Sequence, residues 1–117
     1  MSEEFTVLCA LADIPAGGCR GFSEQRLFAV RSSAGDRVFI YNNQCPHLGI
    51  PLEWVEHQFL DPSGSMIQCA NHAALFVIDS GQCVSGPCAG QKLTTIPCRI
   101  EGNNILIRRV VSTVNNA

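Results

Sequence analysis

Four side chains in two short pairs carry the chemistry of this sequence: Cys45 and His47 in Cys45-Pro46-His47, and Cys69 and His72 in Cys69-Ala70-Asn71-His72. Each pair joins a thiol to an imidazole, the usual soft and borderline metal ligands. Close spacing on a loop lets both members of a pair point at a common centre without closing a long chain segment. Two Cys and two His satisfy one tetrahedral zinc ion. They equally satisfy a 2Fe-2S cluster in which imidazoles replace thiolates on one iron. Ligand identity leaves both open.

The remaining cysteines and the third histidine read as structural. Seven cysteines make an odd count with no framework of evenly spaced pairs, so metal ligation in a reducing compartment explains some of them better than disulfides do. Cys9, Cys19 and Cys98 lie among apolar neighbours or at turns and read as small buried hydrophobes. Cys83 and Cys88 flank Gly86-Pro87 and read as packing residues, with no disulfide expected. His57 lies outside both pairs and is expected on an exposed loop, not among the ligands. Trp54, Leu52 and Phe59 are expected in the core under a long loop, and Tyr41 in the packing of a sheet.

A chain of 117 residues predicts one compact unit over 1–117, with 46% hydrophobic residues to bury and only 15% charged. Eight basic and ten acidic residues give a net charge of -2 without any block of like sign, so no nucleic-acid partner is expected. The longest apolar run, Ala73 to Ile78, is six residues, far short of the roughly 20 that span a bilayer as a helix. No membrane partner is expected. The acidic start Met1-Ser2-Glu3-Glu4 lacks the basic and apolar regions of a secretory signal, which places the protein in the cytoplasm as an expectation.

The elements that must position the four ligands read all-β. Phe5 to Cys9, Arg26 to Arg31 and Arg37 to Tyr41 are short β-branched or aromatic runs, expected as strands of one antiparallel sheet. Ser32 to Asp36 is the expected hairpin loop between the last two. Thr95 to Ile100 alternates in period two, and Glu101-Gly102-Asn103-Asn104 turns it into a partner strand from Ile105 to Val110. Ala73 to Ile78 is expected as a strand because Asp79-Ser80-Gly81 follows it. No stretch has a helical period. Between Tyr41 and Lys92 fall four prolines, five glycines and all three histidines, so loops should dominate there.

Through these two pairs the sequence resembles the Rieske ferredoxin family, whose pattern is Cys-x-His, a variable gap, then Cys-x-x-His. Gly86-Pro87 stands where that family has a loop over its cluster, followed by a Leu93-centred strand and the terminal hairpin. The gap of 21 residues between His47 and Cys69 is long for the small ferredoxins. The resemblance implies an antiparallel all-β Rieske fold with a cluster-binding lobe at about residues 43 to 91. It also implies a 2Fe-2S cluster held by Cys45 and Cys69 on the inner iron and by His47 and His72 on the outer one.

By the same resemblance, high-potential members place a hydroxyl and a tyrosine where this chain has Ala74 and Phe76, and a disulfide where it has Ile50 and Asn71. Lacking these, the chain is expected toward the low end of the Rieske span, roughly -150 mV. The function implied is that of a one-electron carrier, an electron-transfer protein rather than an enzyme. It would link a flavin-dependent reductase to a terminal oxygenase as the ferredoxin of an oxidoreductase system; separately, a monomer is expected because no apolar exposed stripe is recognisable in the sequence. Two alternatives stand beside it: the small subunit of an assimilatory nitrite reductase, and a zinc-stapled binding module from a different class.

Overall fold

The computed structural model describes residues 5–44, 52, 57–70, 74–86 and 89–108. Over these the chain forms nine strands and one turn of 3-10 helix at Leu11–Asp13. The strands are β1 (Phe5–Ala10), β2 (Cys19–Phe22), β3 (Leu27–Arg31), β4 (Val38–Asn42), β5 (Met66–Gln68), β6 (Leu75–Val77), β7 (Cys83–Ser85), β8 (Cys98–Glu101) and β9 (Asn104–Arg108). They pair antiparallel in three three-stranded sheets, ordered β1-β9-β8, β2-β3-β4 and β5-β6-β7. The architecture is all-β, as expected. Among the described residues no helix is long and apolar enough to cross a membrane.

The order of the layers follows from β3. Leu27-Phe28-Ala29-Val30 is apolar at four successive positions and all four are buried, so neither face of the strand can turn to water. Successive side chains of a strand point to opposite faces. Leu27 and Ala29 accordingly enter one core with Ile40, Ile105 and Ile107, while Phe28 and Val30 enter another with Phe59, Phe76 and Leu93. The sheet β2-β3-β4 is therefore the middle layer, with a core on each face. Phe28 stacks on Phe59 at 4.4 Å between ring centroids and meets Tyr41 at 5.9 Å. Each such fully buried side chain contributes about 1.5–3 kcal/mol through the water it sheds.

The two expected hairpins are present. β3 pairs β4 from Leu27↔Asn42 to Arg31↔Val38, and β8 pairs β9 with Glu101↔Asn104 closing the turn, where Gly102 supplies a φ of 60°.

Two expectations need correction. Phe5–Ala10 does not join β3 and β4 in one sheet: it pairs with β9, from Phe5↔Arg108 to Ala10↔Asn104. The hairpin loop fixes the β3–β4 pairing locally, whereas β1 finds a partner about a hundred residues away that no local pattern specifies. Leu93 lies outside any strand. Around it run only the isolated bridges Gln82↔Lys92 and Tyr41↔Thr95, and Pro97, with no N–H to give, delays β8 to Cys98. The interval between Tyr41 and Lys92 is mostly loop among the described residues, as expected; it carries the sheet β5-β6-β7 of three-residue strands, and the strand expected within Ala73 to Ile78 is β6, Leu75–Val77. Val110, the expected end of the last strand, lies outside the described residues.

Tyr41 bolts the middle sheet to β5-β6-β7. Its ring is buried and its hydroxyl donates a 2.6 Å hydrogen bond to the carbonyl of Ile78, just beyond β6. Gly81 lets the ring lie close, since a Cβ there would sit 2.8 Å from a ring carbon. Burial, followed by the negative charge of Asp79, pushes the phenol from 10.0 up to about 12. Between these values the unfolded chain releases a proton that the folded chain keeps. The contribution of Tyr41 is thus complete below pH 10 and is lost as the pH rises toward 12. Tyr41→Phe should lower stability by about 1–2 kcal/mol at neutral pH, because the Ile78 carbonyl loses its donor. It should also flatten the alkaline limb of the stability curve, read by urea denaturation from pH 8 to 12.

Candidate metal centre

Of the four candidate ligands, Cys69 lies within the described residues; Cys45, His47 and His72 lie outside them. Cys69 directly follows β5, and its side chain is fully buried beside Leu52, Ala74 and Phe76. Its backbone N–H donates to the carbonyl of Ala74 at 2.9 Å, extending the β5–β6 pairing of Gln68 with Leu75 by one rung. That bond brings together the ends of the segment 69–74, which carries both Cys69 and His72. The ends of the segment between β5 and β6 are therefore closed backbone to backbone.

The segment with Cys45 and His47 leaves from β4 and is held differently. The Asn43 N–H donates to the carbonyl of Arg26 at 2.9 Å, anchoring the departure point to the β2–β3 turn. The Asn43 side-chain oxygen accepts the N–H of Leu52 at 2.8 Å, so one carboxamide closes the interval 43–52. Leu52 then offers its carbonyl to the N–H of Ala70 at 2.8 Å and buries its side chain completely. Both candidate ligand segments are joined at this residue.

A third segment closes on the second. Gly86 has φ 103°, and a Cβ on it would lie 2.8 Å from the Ala74 Cα and 2.9 Å from the Ala74 Cβ. The backbone entering Gly86-Pro87 thus packs directly on the residue that ends the Cys69–His72 loop, an approach open only to glycine. Pro87 lies outside the described residues. Ala74 and Phe76, the places expected to lack hydroxyl donors, are both fully buried.

Leu52 and Phe59 are core residues, as expected; Trp54 lies outside the described residues. Cys9, Cys19 and Cys98 are half-buried and pack against the cores. Burial raises all three thiols above the usual 9.0, so they stay protonated and poorly nucleophilic at neutral pH. Cys83 is buried on β7, its thiol donating to the Ser85 carbonyl at 3.3 Å, in keeping with a packing role; Cys88 lies outside the described residues. Among the described residues no group of three or more His, Cys, Asp or Glu is placed to hold a metal ion.

His57 departs from expectation. It is half-buried against β2 rather than a solvated loop residue: its Nδ1 accepts the N–H of Gly21 at 3.0 Å, and its carbonyl accepts the Cys19 thiol at 3.3 Å. Accepting at Nδ1 places the proton of the neutral ring on Nε2. β2 is an edge strand, so the imidazole satisfies a backbone donor that no neighbouring strand reaches. The backbone of His57 is left-handed, φ 67°, a conformation few non-glycine residues take without support. A single histidine in an irregular segment carries no periodic signal of such a partner. His57→Ala should cost about 2 kcal/mol, through the unpaired Gly21 N–H and the strained φ. Asn tolerates that φ and carries an acceptor at the position of Nδ1, so His57→Asn should restore most of the loss in urea denaturation.

The Rieske [2Fe-2S] domain family model matches residues 4–106 of this chain. The 3-phenylpropionate/cinnamic acid dioxygenase ferredoxin subunit of Escherichia coli is 27% identical over 99 residues, covering 85% of this chain and 88% of its own. The biphenyl dioxygenase ferredoxin subunit of a Pseudomonas strain is 28% identical over 105 residues, covering 88% and 90%. The ferredoxin of carbazole 1,9a-dioxygenase from Nocardioides aromaticivorans superposes with a TM-score of 0.70 at 21% identity, covering 88% of this chain and 95% of its own, and shows the shared fold.

The chain belongs to the Rieske [2Fe-2S] domain family. Its cofactor is accordingly the Rieske 2Fe-2S cluster, and the described frame fits that group. A fully buried cysteine stands at the mouth of β5–β6, the second ligand segment is tied to the first through Leu52, and a glycine lets a third segment close over Ala74.

Proposed function

We propose that this protein is a one-electron carrier in which Cys45, His47, Cys69 and His72 hold the Rieske cluster. One observation carries the reading: a family match across residues 4–106 in a chain that retains both halves of the two-part ligand pattern. Bound there, the cluster supplies reversible one-electron chemistry. The protein's own part is to hold two thiols and two imidazoles at fixed separation and to keep water from the inner side. The first task falls to the segments closed at Asn43, Leu52 and Ala74, and the second to the apolar wall of Leu52, Ala74 and Phe76. The cluster-binding lobe spans about residues 43 to 91 of a single domain. No substrate pocket is needed, and the protein is an electron-transfer component rather than an enzyme.

The relatives support an oxygenase as the acceptor. Both ferredoxin relatives are named as subunits of dioxygenases and align over most of their length. This chain is the corresponding ferredoxin of an oxidoreductase system, accepting electrons from a flavin-dependent reductase and delivering them to a terminal oxygenase, as a cytoplasmic monomer. Its potential lies toward the low end of the Rieske span, roughly -150 mV, because Ala74 and Phe76 offer no hydroxyl to the cluster sulfurs. Wild-type protein purified anaerobically should contain two irons and two sulfides per chain and give a rhombic electron paramagnetic resonance signal after dithionite. One zinc per chain with no visible absorption, persisting when expression is supplied with iron, would replace this reading with the zinc-stapled module. Electron delivery to a nitrite reductase large subunit, and none to an oxygenase, would make the chain a nitrite reductase small subunit instead.

A further inference from the structure

The two candidate ligand segments are closed by unlike means. The segment 69–74 is closed by the Cys69 N–H and the Ala74 carbonyl, groups that every residue type brings except for the N–H that proline lacks. The segment 43–52 is closed by the side chain of Asn43, whose oxygen accepts the Leu52 N–H at 2.8 Å. Leu52 is also where the segments meet, through its carbonyl and the Ala70 N–H at 2.8 Å. Its side chain is fully buried in the same core as Cys69 and Ala74, which fixes the residue in all three directions. Ala70 follows Cys69 directly, so a shift of Leu52 is a shift of a group one peptide away from a candidate ligand.

The departure point is fixed as well. The Asn43 N–H is held by the Arg26 carbonyl at 2.9 Å, and the Gln44 N–H by the Asn42 carbonyl at 2.9 Å. The carboxamide therefore projects from a backbone that cannot drift with the segment it closes. Removing it leaves the Leu52 N–H without that acceptor.

We propose that Asn43 is a positioning residue for the cluster site: its carboxamide oxygen, through the Leu52 backbone, sets the Cys45–His47 segment in register with the Cys69–His72 loop. This rests on the carrier reading above and assigns one side chain a role in it. The role requires an acceptor at the Asn43 oxygen's position. Asp presents an oxygen at the same place, and Ala does not.

The test compares wild type, Asn43→Ala and Asn43→Asp as full chains in two measurements. The first is hydrogen exchange of the Leu52 amide, read whether or not the cluster is bound. It should be about tenfold faster in Asn43→Ala and close to wild type in Asn43→Asp, as for loss and retention of one buried hydrogen bond. The second is the half-life of the visible absorption in air at 25 °C, with circular dichroism reporting that each variant is folded. Asn43→Ala should lose the cluster about tenfold faster, and Asn43→Asp should recover most of the difference, because one hydrogen bond separates them.

Unchanged Leu52 exchange in Asn43→Ala would overturn the proposal. So would a wild-type cluster half-life in that variant, or an Asn43→Asp variant no better than Asn43→Ala in either measurement. An unfolded Asn43→Ala beside a folded, cluster-retaining Asn43→Asp would still support it, since only the acceptor separates them. If wild type itself binds no 2Fe-2S cluster the carrier reading fails, and the exchange data then decide the bond to Leu52 alone.

Discussion

One backbone unit, that of Leu52, joins the two segments that carry the candidate ligands. Its N–H belongs to the segment that leaves β4, its carbonyl to the loop that follows β5, and its side chain to the core beneath both. A centre shared by two loops needs its donor atoms fixed relative to one another more tightly than loops usually are. Here the fixing is delegated to the sheets. The β2–β3 turn anchors Asn43, the β5–β6 pairing anchors Cys69 and Ala74, and Leu52 joins the two anchored ends.

That arrangement depends in turn on the middle sheet being buried on both faces. Because β3 cannot expose either side, the sheet that ends in the first ligand segment is clasped between two cores and has little freedom to tilt. Tyr41 adds a polar bond across the layers, from the last part of β4 to the segment after β6. His57 does the same at the other edge, fastening the gap between the ligand pairs to β2. The long gap, 21 residues from His47 to Cys69, is therefore not slack throughout: Leu52, His57 and Phe59 are each tied to a sheet or buried in a core.

The parts legible in the sequence were those written in local patterns. Both hairpins were readable because a run, a turn and a second run lie within about fifteen residues, and each turn carries its own chemistry at Gly35 or Gly102. The four candidate ligands were readable because thiol and imidazole at such spacing have few other uses. Long-range pairing was not readable: nothing local in Phe5–Ala10 announces β9, and Cys19–Phe22, with a glycine and an arginine in four residues, hardly looks like a strand at all. The same limit hid His57 and Asn43. Each acts through one bond to a residue brought near by folding, and a single polar residue in an irregular stretch has no period to betray it.

The walls of the site bear on how its charge is tuned. Two ferric ions and two sulfides carry a charge of 2+, which two thiolates and two neutral imidazoles cancel, so one electron makes the oxidised neutral centre singly negative. The penalty for that charge depends on what surrounds it. Leu52, Ala74 and Phe76 are apolar and fully buried, and the close approach of Gly86 leaves no room beside Ala74 for a larger group on that side. Leu52, Ala74 and Phe76 bring no side-chain donor to that core, so any donor they supply is a backbone N–H. The Leu52 N–H is held by Asn43, so the backbone of that apolar side and the closure of the segment 43–52 are linked. A change that removes the Asn43 acceptor therefore touches the backbone on this side as well as the segment it closes.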